Sequence, residues 1–474
     1  MKQLTTKHIF FLLAIVWLGA CKTPAITGKK ENKATPAAYN NSQDTTNAGN
    51  IQWRNYFKDP LLVALIDTAL RNNQELNIAM QEIEINKNEV MARKGEYLPF
   101  LHLRGNAAII KEGEYTWNGI SEKSLKANPD GAPKYIGNFI GGTYFSWELD
   151  VWNKLHNAKK AAALRYLSTI EGRNFMITNI IAEIASSYYE LIGLDNLLAI
   201  VQQNIELQNS ALRVVALEKE AAKVSQLAVN RFEAQLLNTK NLQYEIKQKI
   251  VETENRINFL VGRFPQPVMR NAVEFNTIAS DPIFAGIPSQ LLEKRPDIRQ
   301  AELGLAAAKL DVQVAKANFY PSFSLAAGLG FEAFNPTHLI RPQSILYDLG
   351  GDLVAPLINK NAIKATYFNA NANQIQAAYN YERSILNAHI EVVNQLSQLD
   401  NYTKSYETKL KEVEILTQSI GISNKLFSSA RADYIEVLLT QREALDSRIE
   451  LIETKLKQLA VKVNLYRALG GGWN

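Results

Sequence analysis

The chain has 474 residues, of which 46 % are hydrophobic and 21 % charged, a composition typical of a folded protein. Its net charge of +5 is small for this length and its basic residues are scattered, which argues against nucleic-acid binding. Five dispersed histidines and a single cysteine leave no local metal-binding motif and no intrachain disulfide framework.

The N-terminus has the layout of a secretory signal. Two lysines precede an apolar run over residues 9–18, which is too short to cross about 30 Å of hydrocarbon as a helix. Leu18-Gly19-Ala20-Cys21 then resembles a bacterial lipobox, in which the cysteine thiol is lipidated. We predict a signal peptide over residues 1–20 and a lipid on Cys21, with a plain signal peptide and an incidental cysteine as the alternative.

Residues 21–50 are rich in Lys, Asn, Thr, Ala and Gly and show no apolar periodicity. This composition predicts a flexible tether between the lipid and a folded body.

The placement of proline divides the remaining chain. No proline occurs from residue 134 to 264 or from residue 357 to 474, and both stretches are rich in helix-forming residues. Because proline breaks helix interiors, each stretch is predicted to be a hairpin of two very long helices. A helix of about 65 residues would be about 100 Å long.

The last helix carries a coiled-coil seam. Its apolar residues alternate in spacings of four and three, and a looser version occurs in the first stretch. The seam residues are Leu445, Ile449, Ile452, Leu456, Leu459, Val463 and Tyr466, and their looser counterparts are Leu242, Ile246, Ile250 and Ile257.

The two halves of the chain align with each other. Leu76 and Pro99 match Ile298 and Pro321 at an offset of 222 residues. Further along, several residues match at an offset of 208, among them Gly262 with Gly470. We predict a tandem repeat, with a first copy over 51–264, a linker over 265–288 and a second copy over 289–474.

Four short segments between the helical stretches alternate apolar and polar residues. Odd positions are apolar or small, and most even positions carry polar groups or glycine. The odd positions are Leu101 to Ile109, Phe139 to Leu149, Phe323 to Phe331 and Tyr347 to Ala355. Each segment has the length of a tilted membrane strand, with aromatic residues towards the ends of the apolar face.

A soluble β-sandwich also contains alternating strands, but it would have to form beside coiled coils far longer than its strands. Four strands cannot close a barrel, and an open edge is not tolerated in lipid. Three copies would supply twelve strands, an even number that closes. The predicted fold is a mixed α and β membrane protein with four transmembrane strands per chain.

One motif could indicate cofactor chemistry. Residues 328–333 fit the pattern GxGxxA, and Asp348 follows at a plausible distance. A dinucleotide site needs a helix directly after the glycines, and Asn335-Pro336 stands there instead. With no zinc-protease, serine-hydrolase or P-loop motif either, we predict no cofactor and no enzymatic activity.

These features together resemble the TolC-type outer-membrane efflux family, in its OprM-like lipoprotein branch. The resemblance covers nearly the whole chain after Cys21. The residues that carry it are Asp59-Pro60-Leu61-Leu62, Leu98-Pro99, Ser146-Trp147-Glu148-Leu149-Asp150, Arg295-Pro296-Asp297, Tyr320-Pro321-Ser322, Pro356-Leu357 and Leu469-Gly470-Gly471-Gly472-Trp473. Arg295-Pro296-Asp297 reads physically as a helix start.

The resemblance implies a homotrimer in the bacterial outer membrane, with a twelve-stranded barrel and a long α-helical tunnel in the periplasm. It also implies docking to a periplasmic adaptor (membrane fusion) protein and to an inner-membrane pump of the RND type. Because the pump supplies the energy, this subunit would be a passive conduit for small molecules.

In this family the tips of the helical hairpins form the periplasmic aperture, and the tips here fall at residues 221–225 and 430–434. The family usually has a glycine in each tip, whereas this sequence has Ala222-Lys223-Val224 and Ala430-Arg431-Ala432. Acidic rings often line the aperture, and Asp433 and Glu436 are the nearest acids. They are the candidate gate residues, the alternative being ordinary acids on a solvated helix end.

Two other classes of protein share some of these features. A periplasmic adaptor is also lipid-anchored, but it has one helical hairpin flanked by soluble β-domains, whereas this chain has two hairpins and four amphipathic strands. A structural coiled-coil lipoprotein would not need the strands. Bilayer conductance by a detergent-requiring trimer would distinguish the channel from both.

Overall fold

A computed structural model describes residues 23–39, 45–111, 113, 115–116, 136–271, 275, 284–429 and 431–473. The predicted signal peptide and Cys21 lie outside these residues. The first half contains α1 (Pro60–Asn72), α2 (Gln74–Tyr97), β1 (Phe100–Ile110), β2 (Ile136–Leu149), α3 (Lys154–Glu220) and α4 (Gln226–Val261). The second half contains α5 (Pro296–Ala317), β3 (Ser322–Ala333), β4 (Ile345–Val354), α6 (Asn361–Ser428) and α7 (Tyr434–Ala468), and short helical turns at Trp53–Tyr56 and Leu291–Lys294 precede α1 and α5.

The two helices of each hairpin differ in length. The expected length of about 65 residues fits only one helix of each hairpin, because α3 and α6 have 67 and 68 residues but α4 and α7 have only 36 and 35. A left-handed glycine, Gly262, stops α4 at φ 74°. A Cβ atom at Gly262 would lie 2.4 Å from the carbonyl oxygen of Asn72, so only glycine fits there.

No helix in the described ranges is both long enough and apolar enough to cross a bilayer.

The four predicted strands are confirmed and form one antiparallel sheet in the order β1-β2-β3-β4. The sheet belongs to a compact unit that also includes described residues within 1–30, 84–167 and 303–379. Next to the strands in this unit, Phe319 and Tyr367 pack edge to face with ring centroids 5.5 Å apart, in a small core that also includes Ala315.

A second compact unit includes described residues within 31–83, 168–302 and 380–474 and holds the main core. Its centre is a run of buried residues on α3 between Ile180 and Val201, packed against α1, α4 and α7. The predicted seam residues of α7 from Ile449 to Tyr466 and their looser counterparts on α4 lie in this core or against it. Leu445, the first seam residue, is buried outside this core. The seam is therefore the contact surface of α7, as its spacing predicted.

Aspartate and tyrosine side chains fix the start of α1 within this unit. Asp59 caps the helix by accepting a hydrogen bond from the backbone N–H of Leu61 at 2.8 Å. Its other carboxylate oxygen accepts one from the buried Tyr188 hydroxyl at 2.7 Å. Tyr466 of α7 stacks on Tyr56 with ring centroids 4.0 Å apart, which joins the C-terminal helix to the segment before α1.

The sequence indicates only that Arg295 lies at a helix start, but the side chain is also the centre of a buried hydrogen-bond network. It is 6 % exposed and donates to both oxygens of Asp297, to Glu391 at 2.8 Å and to the carbonyl oxygen of Ala468 at 3.0 Å. Glu391 also pairs with Arg467. Burial opposes the charged guanidinium, but the hydrogen bonds and charges of Asp297 and Glu391 outweigh it and raise the pKa of Arg295. This network ties the start of α5 to α6 and to the end of α7.

The described parts of the predicted tether and linker are packed on the helices. Within the sheet-containing unit, the carbonyl oxygens of Thr27 and Lys29 accept hydrogen bonds from Asn371 and Gln374 of α6. Within the second unit, Tyr39 is buried and stacks on His389. Residues 23–39 lack helix and strand, and these contacts hold parts of the segment against α6. In the linker, Val268 belongs to the main core and Arg270 pairs with Asp195 and Glu254.

Candidate functional site

One face of the sheet is apolar and largely exposed. Pairing places Leu101 opposite Phe145, Phe145 opposite Ala327 and Ala327 opposite Leu349, so that odd-numbered residues meet at every interface. Because successive strand residues point to opposite faces, all odd-numbered positions share one face, as the alternation predicted. Leu103 and Leu349 on this face are 82 % and 83 % exposed in the chain.

The opposite face is polar. A neighbouring row across the sheet contains His102, Tyr144, Gly328 and Asp348, and His102 stacks on Tyr144 at 6.0 Å. A Cβ atom at Gly328 would lie 2.2 Å from a carboxylate oxygen of Asp348, so glycine leaves room for that side chain. Other polar residues of this face are Arg104, Asn106, Ser146, Glu148, Ser324, Glu332 and Asp352.

The residues after β2 set the start of α3. Asp150 accepts hydrogen bonds from the backbone N–H groups of Leu155 at 2.9 Å and His156 at 2.8 Å, and Glu148 pairs with Lys154. The Trp147 indole donates to the carbonyl oxygen of Tyr97 at 3.1 Å. The motif 146–150 thus ends a strand, caps a long helix and joins it to the end of α2.

The tip of the first hairpin contains a strained residue. Ala222 has φ 58°, and the chain closes α3 with hydrogen bonds from Ala222 N–H to Lys219 O at 3.0 Å and from Lys223 N–H to Glu218 O at 2.9 Å. This is the Schellman arrangement, which places glycine most often at the left-handed position. The tip therefore has the conformation that a glycine would adopt, but with an alanine in it.

The two hairpin tips contact each other. Val215, Ala228 and Phe232 of the first hairpin form a buried cluster at its tip. Tyr434 and Leu438 from the start of α7 pack against this cluster. The structure thus brings both tip segments to one end of the second compact unit.

Asp433 and Glu436 lie at this end. Asp433 is the residue before α7, is exposed and makes no side-chain hydrogen bond to the helix amides. Glu436 is exposed in the first turn of α7, three residues further. Both acids are therefore exposed at the start of α7, within three residues of each other. Acids at this position are also stabilised by the helix dipole.

The residues that join the tips were not predicted from the sequence. Phe232 follows Ala228 by four residues and precedes Leu236 by four, and all three are buried. That spacing is a helical packing signal and could have identified the contact face of α4. The role of Glu391 had no such signal, because it depends on partners far away in the chain.

Within the described residues, no group of three or more His, Cys, Asp or Glu side chains is arranged to hold a metal ion.

Comparison with known sequences identifies a family and two similar proteins. The family model of the outer membrane efflux protein matches residues 65–263 and 287–471. The chain is 26 % identical to the "Pyoverdine export outer membrane protein OpmQ" of Pseudomonas aeruginosa, over 99 % of this chain and 98 % of that protein. It is 25 % identical to the "Probable outer membrane lipoprotein SilC" of Salmonella typhimurium, over 100 % of this chain and 99 % of that protein.

Among solved structures, the open state of the Neisseria gonorrhoeae MtrE outer membrane channel matches with a TM-score of 0.83 at 21 % identity. The match covers 96 % of this chain and 99 % of that chain. At this identity the likeness concerns the fold.

Replacing Ala222 with glycine should stabilise the first hairpin tip by about 1 kcal/mol, because a left-handed conformation costs a residue with a Cβ roughly that much. Hydrogen exchange of the Ala222 and Lys223 amides should slow accordingly. Ala221→Gly is the matched control, since Ala221 is exposed and its φ is not positive. Equal exchange rates in Ala222→Gly and the natural chain would contradict the prediction.

Proposed function

The chain belongs to the outer membrane efflux protein family, and we propose that three copies of it assemble into a passive exit duct for small molecules. In this proposal the four strands of each copy contribute to a twelve-stranded transmembrane barrel. The long helices continue the duct into the periplasm as a coiled-coil tunnel.

The exposed apolar face of the sheet carries this proposal. A soluble sandwich would cover such a face with a second sheet, but the odd-numbered leucines of β1 and β4 remain exposed in the chain. The order β1-β2-β3-β4 also leaves β1 and β4 as edges. Hydrocarbon suits the apolar face, and strands from neighbouring copies would complete the edges.

The helices support association of copies. Leu237, Tyr244 and Val251 of α4 recur every seven residues and are exposed, as are Ile415 and Ile422 of α6. A seven-residue apolar repeat on a helix surface is suited to packing against another helix in coiled-coil fashion. Since the seam of α7 is already buried in the chain, these stripes are available for a second copy.

Backbone conformations support the tandem repeat. Asn153 and Asn359 precede α3 and α6, and both have positive φ, at 56° and 54°. Gly262 and Gly470 follow the last helix of each half, again with positive φ. The same left-handed turns at matched positions favour two copies of one structural plan.

The proposed partners follow from family membership. The duct would dock a periplasmic adaptor protein and an inner-membrane pump, which we assign to the RND type. The hairpin tips, where α3, α4 and α7 meet, would face these partners. The pump would supply the energy, so the duct itself needs no catalytic step.

Cys21 would anchor the mature chain to the outer membrane through a lipid. The lipobox at residues 18–21 supports this assignment, and the SilC relative is named as a lipoprotein. We expect the mass of the mature N-terminal peptide to include a diacylglyceryl group on Cys21. An unmodified cysteine in that peptide would exclude the anchor.

Arginine on the apolar face of the sheet should prevent assembly, because a charge facing the bilayer midplane costs about 2–4 kcal/mol. Phe145→Arg and Leu325→Arg should sharply lower the yield of heat-modifiable trimer extracted from membranes. Ser146→Arg and Ser324→Arg are the matched controls on the polar face and should be milder. Equal losses on both faces would reject the assignment of faces.

Asp433 and Glu436 would act at the periplasmic end of the duct. Threefold symmetry would repeat both exposed acids around the axis, and a narrow ring of carboxylates attracts cations. Single-channel recordings should show weaker cation preference and weaker divalent block in Asp433→Asn and Glu436→Gln, and the weakest in the double variant. Glu443→Gln, an exposed acid further along α7, is the control. Recordings indistinguishable from the natural channel would make both acids ordinary surface charge.

A further inference from the structure

The two edge strands carry opposite charges on the polar face of the sheet. Arg104 stands on β1, and Asp348 and Asp352 stand on β4. All three have even numbers, and the pairing of the sheet puts even-numbered residues on one face. All three side chains are exposed in the chain.

The alternation of strand residues restricts how β1 of one copy can pair with β4 of the next. If the apolar faces are to stay continuous, even residues must oppose even residues, so the register can shift only in steps of two. If at least eight residues of each strand are to pair, Arg104 lies opposite Asp348, Gly350 or Asp352.

Each of these registers brings an arginine to a carboxylate. Arg104 faces an aspartate directly in two of them, and opposite Gly350 it has an aspartate on both diagonals. Diagonal neighbours across antiparallel strands are about 7–8 Å apart, which a long side chain can bridge. Opposite charges in these positions stabilise a strand pair.

We propose that Arg104 of one copy pairs with Asp348 or Asp352 of a second copy, on the lumen side of the seam between β1 and β4. The inference rests on the proposed trimer and adds which charges specify its seam. The partner surface is a second copy of this chain. Its β4 carries the complementary charges in the registers that pair even-numbered with even-numbered residues, and only these registers keep the apolar faces aligned.

Cysteine cross-linking tests the proposed pairing of β1 with β4 of a second copy. Arg104→Cys is combined in turn with Asp348→Cys, Gly350→Cys and Asp352→Cys, and membranes are oxidised mildly before a denaturing, non-reducing gel. Within one chain β1 and β4 are three strand spacings apart, about 14 Å, whereas disulfide Cβ atoms are about 4 Å apart. A covalent band therefore reports a bond between copies, and each variant with only one introduced cysteine is its control, since it keeps the natural Cys21. We expect at least one pair to link.

Charge exchange tests the ion pair. Arg104→Asp alone should lower the heat-dissociation temperature of the extracted trimer by several degrees, and adding Asp348→Arg or Asp352→Arg should restore it. Adding Glu332→Arg instead is the control, because Glu332 lies on the inner strand β3 and should not rescue.

Three outcomes would overturn the proposal. A natural trimer in which no cysteine pair links excludes this seam but leaves the trimer standing. Linking without rescue by either aspartate exchange excludes the ion pair. A natural chain that yields no trimer overturns the proposed duct and the seam together.

Discussion

The edges of a β-sheet cannot be left bare in hydrocarbon. Within the described residues, β1 and β4 each pair on one side only, so one row of backbone N–H and C=O groups on each strand has no strand partner. In lipid each such group costs several kcal/mol, whereas in water it would be hydrated at little cost. The exposed leucines of the odd-numbered face suit lipid and not water. One chain cannot meet both demands in lipid, and this conflict is the physical ground for the proposed association with further copies.

The helical part meets a related demand in a different way. Helices of 67 and 68 residues gain their stability from packing, not from propensity alone. Part of this packing is internal, since α3 and α7 bury their apolar residues in the main core. The remaining stripes on α4 and α6 are exposed in the chain. The sheet and the helices therefore both have exposed apolar surfaces, which the proposed association of copies would cover.

Three polar side chains mark places where one helix or strand ends and the next begins. Asp59 and Asp150 cap helices, and Arg295 holds the start of α5 against the end of α7. A buried guanidinium is costly unless it is fully hydrogen-bonded, so Arg295 is stable only while Asp297 and Glu391 both pair with it. These contacts hold the starts of α1, α3 and α5 and the end of α7 in place.

Local patterns in the sequence were sufficient to predict the strands, the face that their odd-numbered residues share and the coiled-coil seam of α7. The alternation around Leu103 follows from the two-residue period of a β-strand, and the spacing of Leu445 to Tyr466 follows from the period of an α-helix. Both periods are fixed by backbone geometry and do not depend on the rest of the fold. The lengths of α4 and α7, the Arg295 network and the contact of Tyr434 with the first hairpin tip required the tertiary structure. Glu391 shows the reason, since its partners Arg295 and Arg467 are 96 and 76 residues away. A pattern in the sequence shows the periodicity of a helix or strand. Only the packing of the folded chain decides which distant residues come into contact and where a helix or strand ends.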